Sequence, residues 1–532
     1  MLTRPLVSLL ASIAALVVTT HAQSPAPKAD GSAREITADF TREAGPTDKM
    51  YQVCVGAGRV NEGLRAEWQK QLAYVHRTCG FTYLRMHGLF TDDMRVYQED
   101  KQGHPAYNWQ YVDMVYDYLL QIGMKPFVEL GFMPDDLASG KQTCFWWHGN
   151  VTPPKDWTKW ENLIRATVEH WRQRYGDDEL KTWYFEVWNE PNLHYFFAGT
   201  QADYFKLYEV TCRAIKSVNP AYRVGGPATA GCAWVPEFIA FCTQNHVPVD
   251  FITTHTYGVD EGYVDENGNK GTILSPSPES ISGDVHRVRD QIAHSARPDL
   301  PLHMTEWSTS YTPFDPVHDS YQSAAFIIDR IRKVGSAAQS LSYWVFTDIF
   351  EEPGPRMTPF HGGFGLVNYQ EINKPSFYAF EYLHKLGATE LQCSDRSAWV
   401  TKDAQGGVQA LVWNYTYPGP GKGNGVNNQV YFTRDLPPKG SIPVTVTIAH
   451  VPAGRYALSV YRVGYRVNDA YTTYHDLGSP SQLTRAQVAY IKSVNSGAPA
   501  EQRLVEIGAD GTFRQDETIR DNDVCLVVLK PM

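Results

Sequence analysis

The sequence predicts an α/β chain built as a (β/α)8 TIM barrel with an accessory C-terminal β-sandwich. Three observations carry that reading. Short apolar strand segments alternate with amphipathic helical segments over roughly the first two thirds of the chain, as parallel crossovers require. Eight such strand segments occur, the last ending at Phe346. After about Leu386 the pattern changes to strand-like runs punctuated by Gly, Pro and Asn turns.

In chain order, Arg4, the apolar run Leu6–Val18 and Thr20-His21-Ala22 predict a signal peptide over residues 1–22. That run is short for a bilayer span, so no membrane contact is expected after cleavage, and the protein is expected in the periplasm or outside the cell. Residues 23–47 read as a Ser/Ala/Pro-rich leader followed by one strand at Ile36–Phe40. That strand is placed to return to the C-terminal sandwich.

The catalytic barrel is expected over residues 48–385. Its strands are read at Tyr51–Val55, Tyr83–Met86, Pro126–Leu130, Trp183–Val187, Tyr222–Val224, Phe251–Thr254, Leu302–Thr305 and Leu341–Phe346. Between them, Val112, Val115, Leu119 and Ile122 share one helical face, as do Trp160, Leu163, Ile164, Thr167 and Trp171. Thr200 and Ser320 are read as helix caps, and Pro375 as a first-turn residue. No Gly-rich dinucleotide turn follows the first strand, which ranks an open doubly wound sheet lower. The accessory sandwich takes residues 386–532, with strands around Ala398–Thr401, Gln409–Tyr415, Val444–Ala449, Tyr456–Arg462 and Asp523–Leu529.

Composition narrows the function. The chain has 532 residues, enough for two or three domains. Its net charge is −10 with no basic run, which argues against a nucleic-acid partner. Eight cysteines are scattered without metal-ligand spacing, so no metal is expected; export permits disulfides whose pairing stays open, and several cysteines sit in apolar stretches where a free buried thiol is the equal alternative. Zinc, P-loop and Gly-x-Ser-x-Gly patterns are absent from the sequence, and nothing in it specifies an oligomeric state.

The candidate chemistry sits at strand ends. The fourth strand runs into Asn189-Glu190-Pro191, where proline cannot donate to a ladder and is read as the stop. The seventh runs into Glu306. In a closed barrel both glutamates reach the C-terminal rim, where barrel enzymes place their reacting groups. Two carboxyl groups flanking a bond, one protonated and one ionised, are what glycoside hydrolysis needs, without a cofactor. Asn189 is placed to hydrogen-bond a sugar 2-hydroxyl, or it is a turn residue before proline. His255 and Tyr257 end the sixth strand; Tyr257 either orients Glu306 or packs in the rim. Trp344, in the eighth strand, is either a platform for a sugar ring or core. His361-Gly362-Gly363 either lets the backbone approach a ligand or forms a plain tight turn.

Trp183–Asn192, Met304–Trp307, Phe350-Glu351-Glu352 and Phe360–Leu366 together resemble glycoside hydrolase family 39, which holds β-D-xylosidases and α-L-iduronidases. Arg85–Gly88 and Gly225–Ala228 fit the same pattern, and the matches run in order across the barrel. The Asn-Glu-Pro motif alone is shared by many barrel glycosidases; the combination is more specific. The resemblance implies a barrel with an accessory sandwich and a retaining exo-glycosidase acting on an oligosaccharide, foremost a β-D-xylosidase. It further implies Glu190 as acid/base, Glu306 as nucleophile, and His87, Asn189, His255, Tyr257, Trp344 and Glu352 as substrate-binding residues. An iduronidase would need an extra Lys or Arg for the substrate carboxylate.

Overall fold

The computed structural model describes residues 33–264, 270–418 and 426–532. The predicted signal peptide and most of the leader fall on residues 1–32, outside the described residues. Among the described residues no helix is long and apolar enough to cross a membrane.

Eight parallel strands close into a barrel in sequence order. They are Cys54–Arg59, Tyr83–His87, Lys125–Leu130, Tyr184–Val187, Arg223–Thr229, Phe251–Tyr257, Leu302–Ser308 and Ser340–Tyr343. The helices that follow them are Ala66–Cys79, Gln110–Gln121, Trp157–Tyr175, Gln201–Val218, Val235–Gln244, Ser282–Ala293, Gln322–Val334 and Pro375–His384. Each helix lays an apolar stripe on the strands. In Trp157–Tyr175 the buried stripe is Trp160, Leu163, Ile164, Thr167, Val168 and Trp171, and the Asp156 side chain caps the first turn. Thr200 and Asp203 form a reciprocal capping box on the next helix.

Several boundaries differ from the sequence reading. The first strand begins at Cys54, because Met50–Gln52 is a single 3-10 turn. The eighth ends at Tyr343, so Trp344 stands just beyond the ladder. The fourth ends at Val187, before Pro191 is reached. Trp188 and Glu190 both adopt left-handed backbone, at φ 70° and 43°, so the chain bends ahead of the proline. The helix Val235–Gln244 has no counterpart in the sequence reading. It buries Val235, Phe238, Ile239 and Cys242, a regular helical stripe, but Trp234 gives it no side-chain cap. Ser320 sits two residues before its helix, and its hydroxyl donates to Asp435 at 2.5 Å.

The accessory domain is one nine-stranded sheet. The strands, from edge to edge, are Glu501–Ile507, Gly454–Val463, Val524–Pro531, Val408–Trp413, Ala398–Lys402, Thr389–Cys393, Arg34–Pro46, Ser441–Ala449 and Phe513–Arg520. It makes its sandwich by rolling over a single apolar core that includes Ile36, Val400, Val446, Leu458 and Val527. The roll brings Arg503 on one edge strand to Gln515 on the other, 2.8 Å apart. The strand Arg34–Pro46 precedes the barrel in sequence but pairs with Thr389–Cys393 and Ser441–Ala449.

The two domains meet behind the loop that follows the eighth strand. Phe360 packs on Tyr474 of the accessory helix Ala470–Asp476, with ring centroids 5.1 Å apart. Lys374, fully buried, bridges Asp319 and Asp348 at 2.6 Å each. The same carboxylates accept the Gly362 and Gly365 N–H groups at 2.7 Å. Gly362 sits at φ +75°, and a Cβ there would meet the Asp315 backbone at 2.3 Å. The close approach this glycine permits is therefore to Asp315. All eight cysteines are free thiols, which resolves the open pairing as no disulfide.

Candidate active site

A cavity of about 860 Å³ opens at the C-terminal ends of the barrel strands. His87, Asn189, Glu190, Tyr257, Glu306, Trp344 and Glu352 line it, although they come from five different strand ends and the loop after the eighth strand. His255 does not line it. Its ring is wholly buried behind the two carboxylates, with Nδ1 2.9 Å from Glu190 Oε1 and 3.5 Å from Glu306 Oε2. The expectation that His255 binds substrate is thus corrected: it touches the carboxylates that face the cavity.

The floor is organised by Arg85 on the second strand. It is fully buried and donates to Glu306 Oε1 at 2.7 Å, Glu186 Oε2 at 2.5 Å and Asn189 Oδ1 at 2.9 Å. Glu129 Oε2 lies 3.0 Å from the same guanidinium. A buried cation of this kind is tolerable only because carboxylates surround it. The sequence reading quoted Arg85 only within a motif and passed over Glu129 and Glu186. The signal was present: a charged residue in each of three successive apolar strands, Arg85, Glu129 and Glu186, with Glu129 and Glu186 in register.

The environments of the two cavity glutamates differ. Glu306 accepts from Arg85 on one oxygen and from the Tyr257 hydroxyl on the other, at 2.7 Å each. Burial keeps Tyr257 protonated by raising its pKa, so it remains a donor. Burial also pushes Glu190 up to about 7, against the opposing charges of His87 and Arg85. His255 is pushed down to about 4 by burial, so a neutral ring faces Glu190. For His87, burial is outweighed by Glu129, whose carboxylate accepts from Nδ1 at 2.6 Å, and the pKa rises to about 10.

The remaining wall follows the same logic. Trp344 is 1% exposed and packs against His87, ring centroids 4.6 Å apart. Glu352 reaches the cavity with Oε1 3.5 Å from His87 Nε2, and burial pushes it up to about 7. Glu351 turns away to Arg59 at 2.8 Å and Arg65 at 2.9 Å.

One oxygen each from Glu190 and Glu306 and one nitrogen of His255 lie within 4.8 Å of one another. Among the described residues this is also the set whose donors converge closely enough for a metal ion. Arg85 already supplies a counter-charge to Glu306, 2.7 Å away. Oxygens of the two carboxyl groups that approach within 4.8 Å are near enough to flank a single glycosidic bond.

A closed parallel barrel with two converging, differently poised glutamates at its C-terminal rim defines a glycoside hydrolase. The profile of glycosyl hydrolases family 39 matches residues 34–512, and the chain belongs to that family. A β-xylosidase of Geobacillus stearothermophilus is 39% identical over 490 residues, covering 91% of this chain and 93% of that protein. The crystal structure of a family 39 enzyme from Xanthomonas axonopodis pv. citri superposes with a TM-score of 0.91 at 44% identity, covering 94% of this chain and 98% of that one. A monomeric β-xylosidase from Caulobacter crescentus CB15 gives 0.90 at 45% identity, covering 94% and 100%.

Proposed function

We propose that this hydrolase is a retaining, exo-acting β-D-xylosidase that releases xylose from xylo-oligosaccharides, with Glu306 as nucleophile and Glu190 as acid/base. The observation that carries the mechanism is the close pair itself, with Glu190 holding a proton to about pH 7 while Glu306 is clamped between Arg85 and Tyr257. A Glu306 oxygen attacks the anomeric carbon as the C–O bond breaks, and Glu190 protonates the departing oxygen. Esterification removes a negative charge from the cavity, which lowers the proton affinity of Glu190. Glu190 then takes a proton from water, whose oxygen attacks the same carbon and frees Glu306. Asn189, fixed by Arg85, is placed for the sugar 2-hydroxyl, and His87, Trp344 and Glu352 for the rest of the ring.

The sugar assignment rests on the β-xylosidase relatives and on the charge of the cavity. Glu190, Glu306, Glu352, Asp260 and Asp284 line it, and none of its described lining residues is Lys or Arg. A uronic acid would bring its carboxylate into a surface whose described cationic lining residue, His87, is already paired with Glu129. The test is hydrolysis of xylobiose by wild type, Glu190→Ala and Glu306→Ala, with the product anomer followed by proton NMR. Both variants should lose at least about 10³-fold in kcat/KM, since each removes a group that acts only in the transition state. Initial release of α-xylose, or near-wild-type rates in both variants, would sink the assignment.

We also propose export to the periplasm or beyond, on the basic, apolar and small-residue segments of residues 1–22. Mass spectrometry of the exported protein should read an N-terminus at Gln23; retention of Met1 would reject it.

A further inference from the structure

We propose that Arg59 and Glu62, where the first strand ends, are positioning residues that set the Glu352 carboxyl in the cavity by fixing its neighbour Glu351. The inference rests on the glycosidase reading above and deepens it, because Glu352 is taken there as a sugar-binding residue. Neither Arg59 nor Glu62 is among the described residues that line the cavity. Glu352 depends on outside support. It belongs to the loop after the eighth strand, beyond the ladder that ends at Tyr343. Its carboxylate meets His87 Nε2 at 3.5 Å, too long for a firm hydrogen bond. The backbone around it is what is held. The Trp146 N–H donates to the Glu352 carbonyl at 2.8 Å, and the Gly354 N–H to the Glu351 carbonyl at 3.0 Å.

That turn is pinned from the first strand. The Glu351 N–H donates to Glu62 Oε1 at 2.9 Å. The Glu351 carboxylate lies between two guanidiniums, with Arg59 donating to Oε2 at 2.8 Å and Arg65 2.9 Å from Oε1. Arg59 is itself buried; it pairs with Asp93 and lies over the Trp147 ring, 5.3 Å from the centroid. Glu62 is wholly buried, and Gly58 leaves it room: a Cβ at Gly58 would lie 2.4 Å from Glu62 Oε2. The segment from Gly58 to Arg65 thus closes around Glu351. With Glu351 held in this pocket, the next carboxyl in the chain, Glu352, faces the cavity.

The charges agree with the geometry. Burial, helped by the charge of Glu351, pushes Glu62 up to about 8, so it stands neutral beside Glu351 at pH 7. Burial opposes the charge on Glu351, but Arg65 and Arg59 outweigh it and hold its pKa below the usual carboxylate range. One carboxyl is therefore a neutral acceptor for a backbone N–H, and the other is an anion for the guanidiniums. Two anions there would repel each other across the contact that fixes the loop. Removing Glu62 would leave the Glu351 N–H without its acceptor, and removing Arg59 would strip Glu351 of one cation; either frees the turn that carries Glu352.

The experiment is a double-mutant cycle on the full chain with xylobiose as substrate. Glu62→Ala and Arg59→Met should each raise KM by about tenfold and change kcat by less than about threefold, because they misplace a group that binds the sugar without reacting. In a Glu352→Ala background the same two substitutions should change kcat/KM by less than about twofold, since the group they position is gone. Glu62→Gln keeps an acceptor for the Glu351 N–H and should stay within about twofold of wild type. Equal losses in both backgrounds would overturn the proposal, because a merely structural role costs the same with or without Glu352. So would a Glu62→Gln as impaired as Glu62→Ala, or a Glu352→Ala enzyme that binds xylobiose as wild type does. Circular dichroism and the thermal midpoint separate misplacement from unfolding, and Arg59→Met carries the cycle if Glu62→Ala does not fold. If wild type hydrolyses another glycoside and not xylobiose, the sugar reading fails, and the same cycle on that glycoside decides the positioning.

Discussion

At the scale of single residues, the site is a division of labour between carboxyls set by what each one touches. Glu190 keeps its proton to about pH 7 because burial strips it of water. The free enzyme should therefore lose kcat/KM on xylobiose as pH rises through about 7, by about tenfold per unit, because the acid form is the competent one. Glu190→Gln cannot titrate there, so its much lower rate should be flat across the same range; an unchanged alkaline limb would assign the titration to another group. That Glu190 and Glu306 would share one cavity was legible in the sequence because both stand at the ends of barrel strands. Arg85, Glu129 and Glu186 left a visible trace, one charge in each of three successive apolar strands, but that trace gains its meaning only when the barrel closes and brings the three together. His255 was found but misplaced. Strand parity points a side chain inward and does not say whether another side chain stands between it and the cavity.

At the scale of elements, the helices show why periodicity succeeds and where it fails. Trp157–Tyr175 was readable from its stripe and its cap, whereas Val235–Gln244 had the stripe without the cap. The loop after the eighth strand was read as a motif, but what holds it is a long-range contact. Lys374 neutralises Asp319 and Asp348, and those carboxylates fix the Gly362 and Gly365 N–H groups. Lys374→Met leaves two buried carboxylates without their cation and should cost about 3–5 kcal/mol in urea unfolding. Phe364, which lines the cavity, lies between those anchored glycines, so KM should rise as well. A loss below about 1 kcal/mol would show that the pair's desolvation had cancelled its attraction.

At the scale of the whole molecule, the barrel and the rolled sheet are stitched at several points. The N-terminal strand lies in the accessory sheet, Phe360 packs into the accessory helices, and Ser320 bonds Asp435. Calorimetry should accordingly give one cooperative transition, and a chain cut after Leu386 should not yield a folded barrel, because Phe360 and the strand Arg34–Pro46 lose their partners. Two well-separated transitions would show the domains to be independent. The fold class was legible because strand and helix segments alternate so regularly. The continuity of the accessory sheet was not, since rolling one sheet and stacking two leave the same period in the sequence.

The placement of Arg34–Pro46 also sets an order in time. It is the first described strand to leave the ribosome, yet the strand it pairs with antiparallel is made about 340 residues later. At roughly 5–20 residues per second, that is a delay of about 20–70 s during which its ladder groups are unpaired. The strand must wait as an open edge while the entire barrel is synthesised, and the burial pattern shows how it can afford to: of its thirteen residues only Ile36 and Ala38 are buried, and Arg42, Glu43 and Glu35 keep the waiting edge charged.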